Sequence, residues 1–126
     1  MVDAVLAANE AFYAAHEQRS LSLMGEVWEH SERVVCVHPG WPLLRTWDVV
    51  EESWRRIFSG SGRNQFIITN EAVVAHGDVA WVTLDENLVD GSSASTIAAT
   101  NVFARIRDEW KMVLHQGSPV MPQLLR

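Results

Sequence analysis

Residues 65–89 decide the fold, and they read QFIITNEAVVAHGDVAWVTLDENLV. Two long runs, Phe66–Ala75 and Val79–Val89, are rich in β-branched and aromatic residues, a composition that favours strands. Between them stands His76-Gly77-Asp78, and a Gly-Asp step in so short a connection is typical of a hairpin turn. The stretch therefore predicts two long antiparallel strands.

Two further strands extend this hairpin into a meander. Asp90-Gly91-Ser92-Ser93 leads to a third strand over Ser95–Ile106, and Arg107-Asp108-Glu109 leads to a fourth over Trp110–Gly117. These strands are apolar on both parities, for example at Ile97-Ala98-Ala99, so both faces of the sheet are expected to be covered. Helices can cover one face, and the other face needs either a partner chain or the sheet's own curvature. We therefore predict a homodimer packed through the sheet.

The first half of the chain predicts three helices. Apolar residues recur at steps of three and four over Val2–Glu17, which places them on one face of an amphipathic helix. Ser20 is a favourable N-cap for a short second helix, and Thr46 caps a predicted third helix that ends at Gly60. Helices first and a meander of strands afterwards indicate the α+β class.

A buried strand is predicted over Arg33–His38, where β-branched residues flank Cys36. Pro39-Gly40 ends this strand, and residues 40–45 are expected to form a loop. Cys36 is the single cysteine, so no internal disulfide can form, and its apolar neighbours predict an inert buried thiol. A reducing compartment fits this pattern, and a cytoplasmic location is expected.

The composition is that of one globular domain. The chain has 126 residues, of which 48% are hydrophobic and 21% charged. We expect a single domain over residues 1–126, with an irregular tail over residues 118–126. A net charge of −6 and a single lysine, Lys111, argue against a nucleic-acid partner, because phosphates require clustered Lys and Arg. Membrane association is not expected either, since no apolar run reaches the ~18 residues of a membrane span.

Five short segments, taken in order, resemble one known family. They are Val37-His38-Pro39-Gly40-Trp41, Ser53-Trp54 with Ile57-Phe58, Asp78-Val79-Ala80-Trp81-Val82, Thr100-Asn101-Val102-Phe103, and Trp110 through His115-Gln116-Gly117-Ser118. On these segments the chain resembles the SnoaL-like group of the nuclear-transport-factor-2-like superfamily, over about residues 5–119. The resemblance implies a strongly curved antiparallel sheet that forms a cone, with three helices packed on its concave face. It also implies an apolar pocket and dimerisation across the sheet.

His38 and Tyr13 are the first candidate catalytic residues. An imidazole titrates near neutral pH, so His38 at a strand end would be able to transfer a proton. The resemblance places the general base of steroid-isomerase relatives at the end of the first strand, which His38 matches, and a helix-borne Tyr on the ligand carbonyl, which Tyr13 matches. The alternatives are that His38 bonds the backbone at its turn and that Tyr13 only fills the core.

Asn101, Asp85 and His115 are polar residues on successive strands that are able to face the interior. A buried carboxylate would have a raised pKa and would serve as an acid or a base. Which parity of each strand faces the helices stays open. Either Tyr13 or Asn101 is therefore a candidate for stabilising a developing oxyanion, and Asp85 and His115 are candidate ligand contacts.

Aromatic residues of the first half suggest a wall for the pocket. Trp41 lies in the loop after Pro39-Gly40 and is the candidate lid. Trp54 and Phe58 lie on the apolar stripe of the third helix, where they either contact ligand or simply fill the core. Flat rings suit a small apolar or aromatic molecule, and they suit ordinary packing equally.

No cofactor or metal site is expected from the sequence. It has no phosphate loop, no dinucleotide-binding glycine motif and no cysteine pair, and its five histidines lack metal-binding spacing. Relatives in the family often carry a second histidine where this chain has Gln116 after His115. That departure argues further against a metal on the last strand.

Two functional interpretations remain open. The first is an enzyme that acts on a hydrophobic or carbonyl-containing molecule by acid–base chemistry, as an isomerase, cyclase or dehydratase. The second is a non-catalytic ligand-binding or dimeric assembly domain. The superfamily contains both kinds, so the resemblance does not choose between them. Proton-transfer groups that converge on one cavity would favour the enzyme.

Overall fold

Two helices that pack on each other begin the fold. A computed structural model of the chain describes residues 1–60, 65–90 and 93–122. Helix α1 (Val2–Gln18) ends at Arg19, which adopts the left-handed conformation with φ 53°. Helix α2 (Leu21–Val27) begins at Ser20, whose side chain accepts a hydrogen bond from the Leu23 amide. The predicted N-cap at Ser20 is confirmed, because its hydroxyl satisfies an amide that has no partner within the helix.

Two short strands and a third helix follow. Strand β1 (Val35–Val37) is antiparallel to β2 (Leu44–Arg45), and α3 (Trp47–Ser59) comes next. The prediction of a loop over residues 40–45 is therefore wrong for its last two residues, which form β2. A two-residue strand is too short to show any periodicity, which explains the omission. Thr46 does precede α3 as predicted, but its side chain makes no capping hydrogen bond and its φ is 73°.

The second half is the predicted meander of four long strands. They are β3 (Gln65–His76), β4 (Val79–Asp90), β5 (Ser93–Ile106) and β6 (Glu109–Pro119). The sheet order is β2-β1-β6-β5-β4-β3, with β1 parallel to β6 and the other neighbours antiparallel. Strand β6 reaches two residues beyond its predicted end at Gly117. Residues 91–92 of the predicted connection and 123–126 of the predicted tail lie outside the described residues.

Strand β3 contains a bulge that changes which side chains face the helices. Its pairing with β4 slips between Thr69 and Ala72, where Asn70 adopts a left-handed φ of 57°. Before the bulge the even-numbered Phe66 faces the helices, and after it the odd-numbered Val73 packs against the core. One extra residue is enough to reverse the parity, because side chains alternate along a strand.

The core lies between the three helices and one face of the sheet. On β5 the odd-numbered Asn101 and Phe103 are fully buried, and on β4 the even-numbered Val82 and Glu86 are buried. Asp85 of β4 is only half-buried and points to the other face. The parity that the sequence left open is thus settled, and the predicted α+β class with three helices on one face of the sheet is confirmed.

Candidate functional site

A buried phenol and a buried carboxyl form the centre of the site. Tyr13 of α1 donates a hydrogen bond from Oη to Glu86 Oε2 at 2.6 Å, and the two side chains are 5% and 4% exposed. Burial raises the pKa of Glu86 to about 7, although the bond from Tyr13 works in the opposite direction. Burial and the nearby carboxyl raise the pKa of Tyr13, so the phenol keeps its proton. Glu86 is therefore the group that changes charge near neutral pH.

The amide of Asn101 and the imidazole of His115 together fix the direction of the hydrogen bond that Tyr13 donates. His115 Nδ1 lies 2.6 Å from Asn101 Oδ1, and because an amide oxygen only accepts, His115 must donate here. The amide nitrogen of Asn101 then faces Tyr13 Oη at 3.1 Å and donates to it. The phenol oxygen thus receives one hydrogen and sends its own to Glu86. One lone pair of the oxygen remains uncommitted within this network.

The same network reaches the edge of the sheet. Asn101 Nδ2 also donates to Asn9 Oδ1 at 2.8 Å, and Asn9 Nδ2 donates to Glu71 Oε2 at 3.0 Å. Asn9 is 1% exposed on α1, whereas Glu71 is exposed on β3. The hydrogen bonds of this network therefore all run in the direction of two carboxyl groups, one buried and one at the surface. A connected network of hydrogen bonds of this kind, most of it buried, holds its members in one arrangement.

His38 is buried at the end of β1 and bound to α3. Its Nε2 lies 2.8 Å from Ser53 Oγ, and Ser53 donates its only hydrogen to the Val50 carbonyl at 2.6 Å. His38 Nε2 must therefore be the donor in the first bond. Burial lowers the pKa of His38 to about 4, and the nearby His16 acts in the same direction. The imidazole is neutral at physiological pH.

Aromatic rings fill the space around Trp54. This fully buried indole contacts the rings of five residues at centroid distances of 4.6 to 6.3 Å: Phe12, His16, His38, Phe58 and His115. Trp54 Nε1 and His16 Nδ1 are buried and have no hydrogen-bond partner among the described residues. Burial lowers the pKa of His16 to about 4. The cluster therefore contains one unsatisfied donor and one unsatisfied imidazole nitrogen.

A groove between α1 and β3 opens beside Tyr13. It has a volume of about 530 Å³, which is in the range of small-molecule sites. We call it the α1–β3 groove, and its walls include Tyr13 and Glu17 of α1 with Phe66, Ile68 and Glu71 of β3. The Tyr13 and Phe66 rings meet edge to face with centroids 5.6 Å apart. The phenol thus stands between this groove and Glu86.

Most of the candidates predicted from sequence come together on the helix-covered face. Tyr13, Asn101 and His115 belong to one hydrogen-bond network, and His38, Trp54 and Phe58 belong to the adjoining aromatic cluster. Trp41 is half-buried and meets the His38 ring at 5.0 Å. Asp85 is not brought to this face; its Oδ2 lies 3.5 Å from Asn70 Nδ2 on the opposite face of the sheet.

Two members of the network, Glu86 and Asn9, were missed by the sequence analysis. Both stand among apolar residues at the spacing of their element: Glu86 follows Val82 and Leu84 on β4, and Asn9 lies between Val5 and Phe12 on α1. A single polar residue on an otherwise apolar parity was the available signal for Glu86. Asp85 was the candidate instead, because either parity of β4 was able to face the helices.

The described residues contain no cluster of metal-binding side chains. Within residues 1–60, 65–90 and 93–122, no three His, Cys, Asp or Glu side chains lie close enough together to hold a metal ion. No helix in the same ranges is long and apolar enough to cross a membrane. The buried thiol of Cys36 has a raised pKa because of its burial, so it stays protonated.

Comparison with known proteins identifies the family. The SnoaL-like domain matches residues 5–122, nearly the whole chain. The chain belongs to the SnoaL-like family. Solved structures with a cystatin-like fold superimpose on the chain and confirm the predicted fold, for example one from Nostoc punctiforme with a TM-score of 0.78 at 9% identity.

Two solved structures are similar to this SnoaL-like domain in sequence as well as in fold. One is described as a candidate dehydratase of the NTF2-like family from Streptomyces avermitilis, with 36% identity, a TM-score of 0.87, and coverage of 95% of this chain and 96% of that one. The other is described as a candidate calcium/calmodulin-dependent protein kinase type II association domain from Thiobacillus denitrificans. It has 37% identity and a TM-score of 0.85, over 91% of this chain and 94% of that one.

A curated plant protein is also similar. The F-box protein SKIP8 of Arabidopsis thaliana is 29% identical over 119 residues, which cover 94% of this chain. The SnoaL-like chain spans only 50% of the length of that relative. One relative is thus described as an enzyme, one as an association domain and one as an F-box protein, so the family alone does not assign an activity.

Proposed function

We propose that this SnoaL-like domain binds a small apolar, carbonyl-containing molecule and transfers a proton to and from it without a cofactor. The observation that carries the proposal is the bond between Tyr13 and Glu86. A buried carboxyl whose pKa is raised to about 7 exchanges its proton readily at neutral pH, which is what a general acid or base requires. Tyr13 connects this carboxyl with the α1–β3 groove.

The geometry supports a relay rather than direct transfer. When Glu86 is ionised, Tyr13 passes its hydrogen to Glu86 Oε2 as its oxygen takes a proton from the ligand through the remaining lone pair. Tyr13 stays neutral throughout, as its raised pKa demands. The reverse transfer returns the proton from Glu86 to another atom of the ligand. Removal and return at different positions is the proton chemistry of an isomerase, and return to a leaving hydroxyl is that of a dehydratase.

We assign the proton transfer to Glu86 rather than to His38. His38 donates its Nε2 hydrogen to Ser53, and its lowered pKa of about 4 makes it a weak base. The imidazole ring of His38 contacts the rings of Trp41 and Trp54, which suits a positioning role within the aromatic cluster. In the proposed reaction Asn101 and His115 are also positioning residues, because they orient the phenol.

Hydrogen–deuterium exchange tests the proposal without knowledge of the natural substrate. The protein is incubated in deuterium oxide with a panel of cyclic ketones and enones, and mass spectrometry measures deuterium at carbons next to the carbonyl. We expect exchange above the buffer rate, reduced about 100-fold in both Glu86→Gln and Tyr13→Phe, the scale of general acid–base catalysis. The rate is expected to rise with pH through about 7, because the ionised Glu86 is the acceptor.

Asp85→Asn is the matched control for Glu86→Gln. It removes the neighbouring carboxyl of the same strand, but on the face away from Tyr13. Exchange should be unchanged in this variant. Equal loss in Asp85→Asn and Glu86→Gln, or no exchange with any ketone of the panel, would contradict proton transfer by Glu86.

A second candidate function is assembly through the outer face of the sheet. Large apolar side chains are exposed there, including Ile67 at 58% and the cross-strand pair Val74 and Trp81 at 46% and 38%. We propose that a second copy covers them, which agrees with a likeness to an association domain. Sedimentation should show a dimer that Trp81→Asp converts to a monomer; a monomeric native protein would argue against it.

The free buried thiol of Cys36 is in keeping with a cytoplasmic location.

A further inference from the structure

Among the described residues, the lining of the α1–β3 groove combines apolar surface with three acidic side chains and no basic one. Leu6, Ala14, Phe66 and Ile68 supply apolar and aromatic surface. Glu10, Glu17 and Glu71 supply three carboxyl groups, and none of the nine residues described as lining the groove is Lys, Arg or His. A neutral apolar ligand would leave these carboxyl groups uncompensated, whereas a cation would be attracted by all three.

Two of the carboxyl groups are held in place across the groove. Glu17 of α1 accepts the backbone N–H of Phe66 on β3 at 3.0 Å, and Glu71 of β3 accepts Asn9 of α1 at 3.0 Å. Each bond joins one wall to the other, so the charged groups are fixed in position before any ligand arrives. Their bonded partners are neutral, and each carboxylate has lone pairs left to accept further hydrogens.

The aromatic rings of the groove add a second attraction for a cation. Tyr13 and Phe66 lie side by side in its wall, edge to face. An ammonium group near the face of such a ring is stabilised by the ring quadrupole, and more so where water is partly excluded. Carboxylates for the charge and rings for the apolar part are complementary to a single kind of ligand.

From this charge complementarity we infer that the molecule bound in the α1–β3 groove is a small organic cation, in which an amine or quaternary ammonium is joined to the apolar, carbonyl-containing part named in the proposed function. The volume of about 530 Å³ accommodates a molecule of that size. The inference does not depend on proton transfer by Glu86, since it concerns the recognition of charge at the groove surface.

Three probes of equal shape test the inference: phenylbutylamine, phenylbutanol and phenylbutyrate. Titration followed by amide NMR shifts should show the amine binding roughly fivefold or more tightly than the alcohol, with shifts confined to α1 and β3. The acid should bind more weakly than either. Raising the salt concentration should weaken binding of the amine and leave the alcohol unaffected.

Charge-removing variants identify the groove as the site. Glu10→Gln changes an exposed side chain and should weaken amine binding about twofold to fivefold, without altering binding of the alcohol. Glu71→Gln keeps an oxygen that accepts from Asn9 and should act likewise. Glu52→Gln on α3, also exposed, changes the net charge equally at a remote position and should have no effect.

Four outcomes would overturn the inference. The first is equal affinity for amine and alcohol, and the second is equal weakening by Glu10→Gln and Glu52→Gln. The third is displacement of phenylbutylamine by a lysine-rich peptide that binds far more tightly, because the occupant would then be a protein segment. Shifts that map to α2 or α3 instead of α1 and β3 would also contradict it.

Discussion

Asp85 and Glu86 are consecutive residues of β4, and their carboxyl groups lie on opposite faces of the sheet. Glu86 is buried beneath α1 and accepts the Tyr13 hydrogen, while Asp85 is half-buried on the outer face near Asn70. The difference follows from the alternation of side chains along a strand, which separates two similar groups completely. It also provides a natural pair of variants for testing what burial does to a carboxyl group.

Glu86 should make stability depend on pH. Its folded pKa of about 7 exceeds the ordinary 4.5, so the folded state holds a proton that the unfolded state releases between these values. This contribution is complete below pH 4.5 and is lost as pH rises through about 7. Glu86→Gln cannot ionise, and its free energy of unfolding relative to the native protein should improve by about 2 kcal/mol from pH 5 to pH 8. Urea unfolding at both pH values measures this, and an equal change in Asp85→Asn would contradict it.

Tyr13→Phe should destabilise the fold through the groups it leaves behind. Without the phenol, Glu86 loses a donor and Asn101 Nδ2 loses an acceptor, and an unsatisfied buried group costs about 1–3 kcal/mol. Replacing both partners, in Tyr13→Phe with Glu86→Leu, should cost less than the sum of the single changes. Urea unfolding of the four proteins of this cycle gives the coupling. Additive losses would show that the bond contributes nothing specific.

His16→Phe should improve stability, most of all in acid. His16 has a buried Nδ1 without a partner among the described residues, and its ring already lies among Phe58, Phe66 and Trp54. Its folded pKa of about 4 lies below the ordinary 6.5, so its contribution is complete above pH 6.5 and is lost as pH falls toward 4. We expect the variant to gain about 2 kcal/mol relative to the native protein as the pH is lowered from 7 to 5. His76→Gln, at the exposed end of β3, is the control for removing one histidine.

Gly117→Ala should be destabilising because β6 passes close to its neighbours. A Cβ at Gly117 would stand 2.8 Å from Ile97 Cγ2 and 3.2 Å from Pro39 Cγ, closer than packed atoms normally approach. Overpacking of this kind costs about 1–3 kcal/mol. The matched change Gly25→Ala in α2 meets atoms no nearer than 3.9 Å and should stabilise by about 0.5–1 kcal/mol. Thermal unfolding should shift in opposite directions for the two variants.

The sequence predicted the fold well, because long periodic elements carry strong signals. The step of three and four residues over α1 and the Gly77-Asp78 turn between β3 and β4 are local features that the tertiary structure leaves unchanged. Strand β2 was missed because its two residues have no period and gain their conformation only by pairing with Val35 and Cys36. The length of each helix or strand therefore decided whether it could be predicted.

The candidate site was harder to predict, because it depends on register. Tyr13, Asn101 and His115 were found as polar residues with apolar neighbours, and the structure joins them. Their partner Glu86 could not be chosen over Asp85, since either parity of β4 was able to face the helices. The pairing of Val82 with Asn101 decides this, and a pairing between distant strands is not written in either strand alone.

The extra residue at Asn70 reverses which side chains of β3 face the core. With it, even positions point inward before the bulge and odd positions point inward afterwards. A chain shortened by one residue here would have to expose Val73 to water or turn Phe66 away from Tyr13 and His16. A single surplus peptide unit at the margin of the sheet thus keeps both the aromatic end and the apolar end of β3 against the same core.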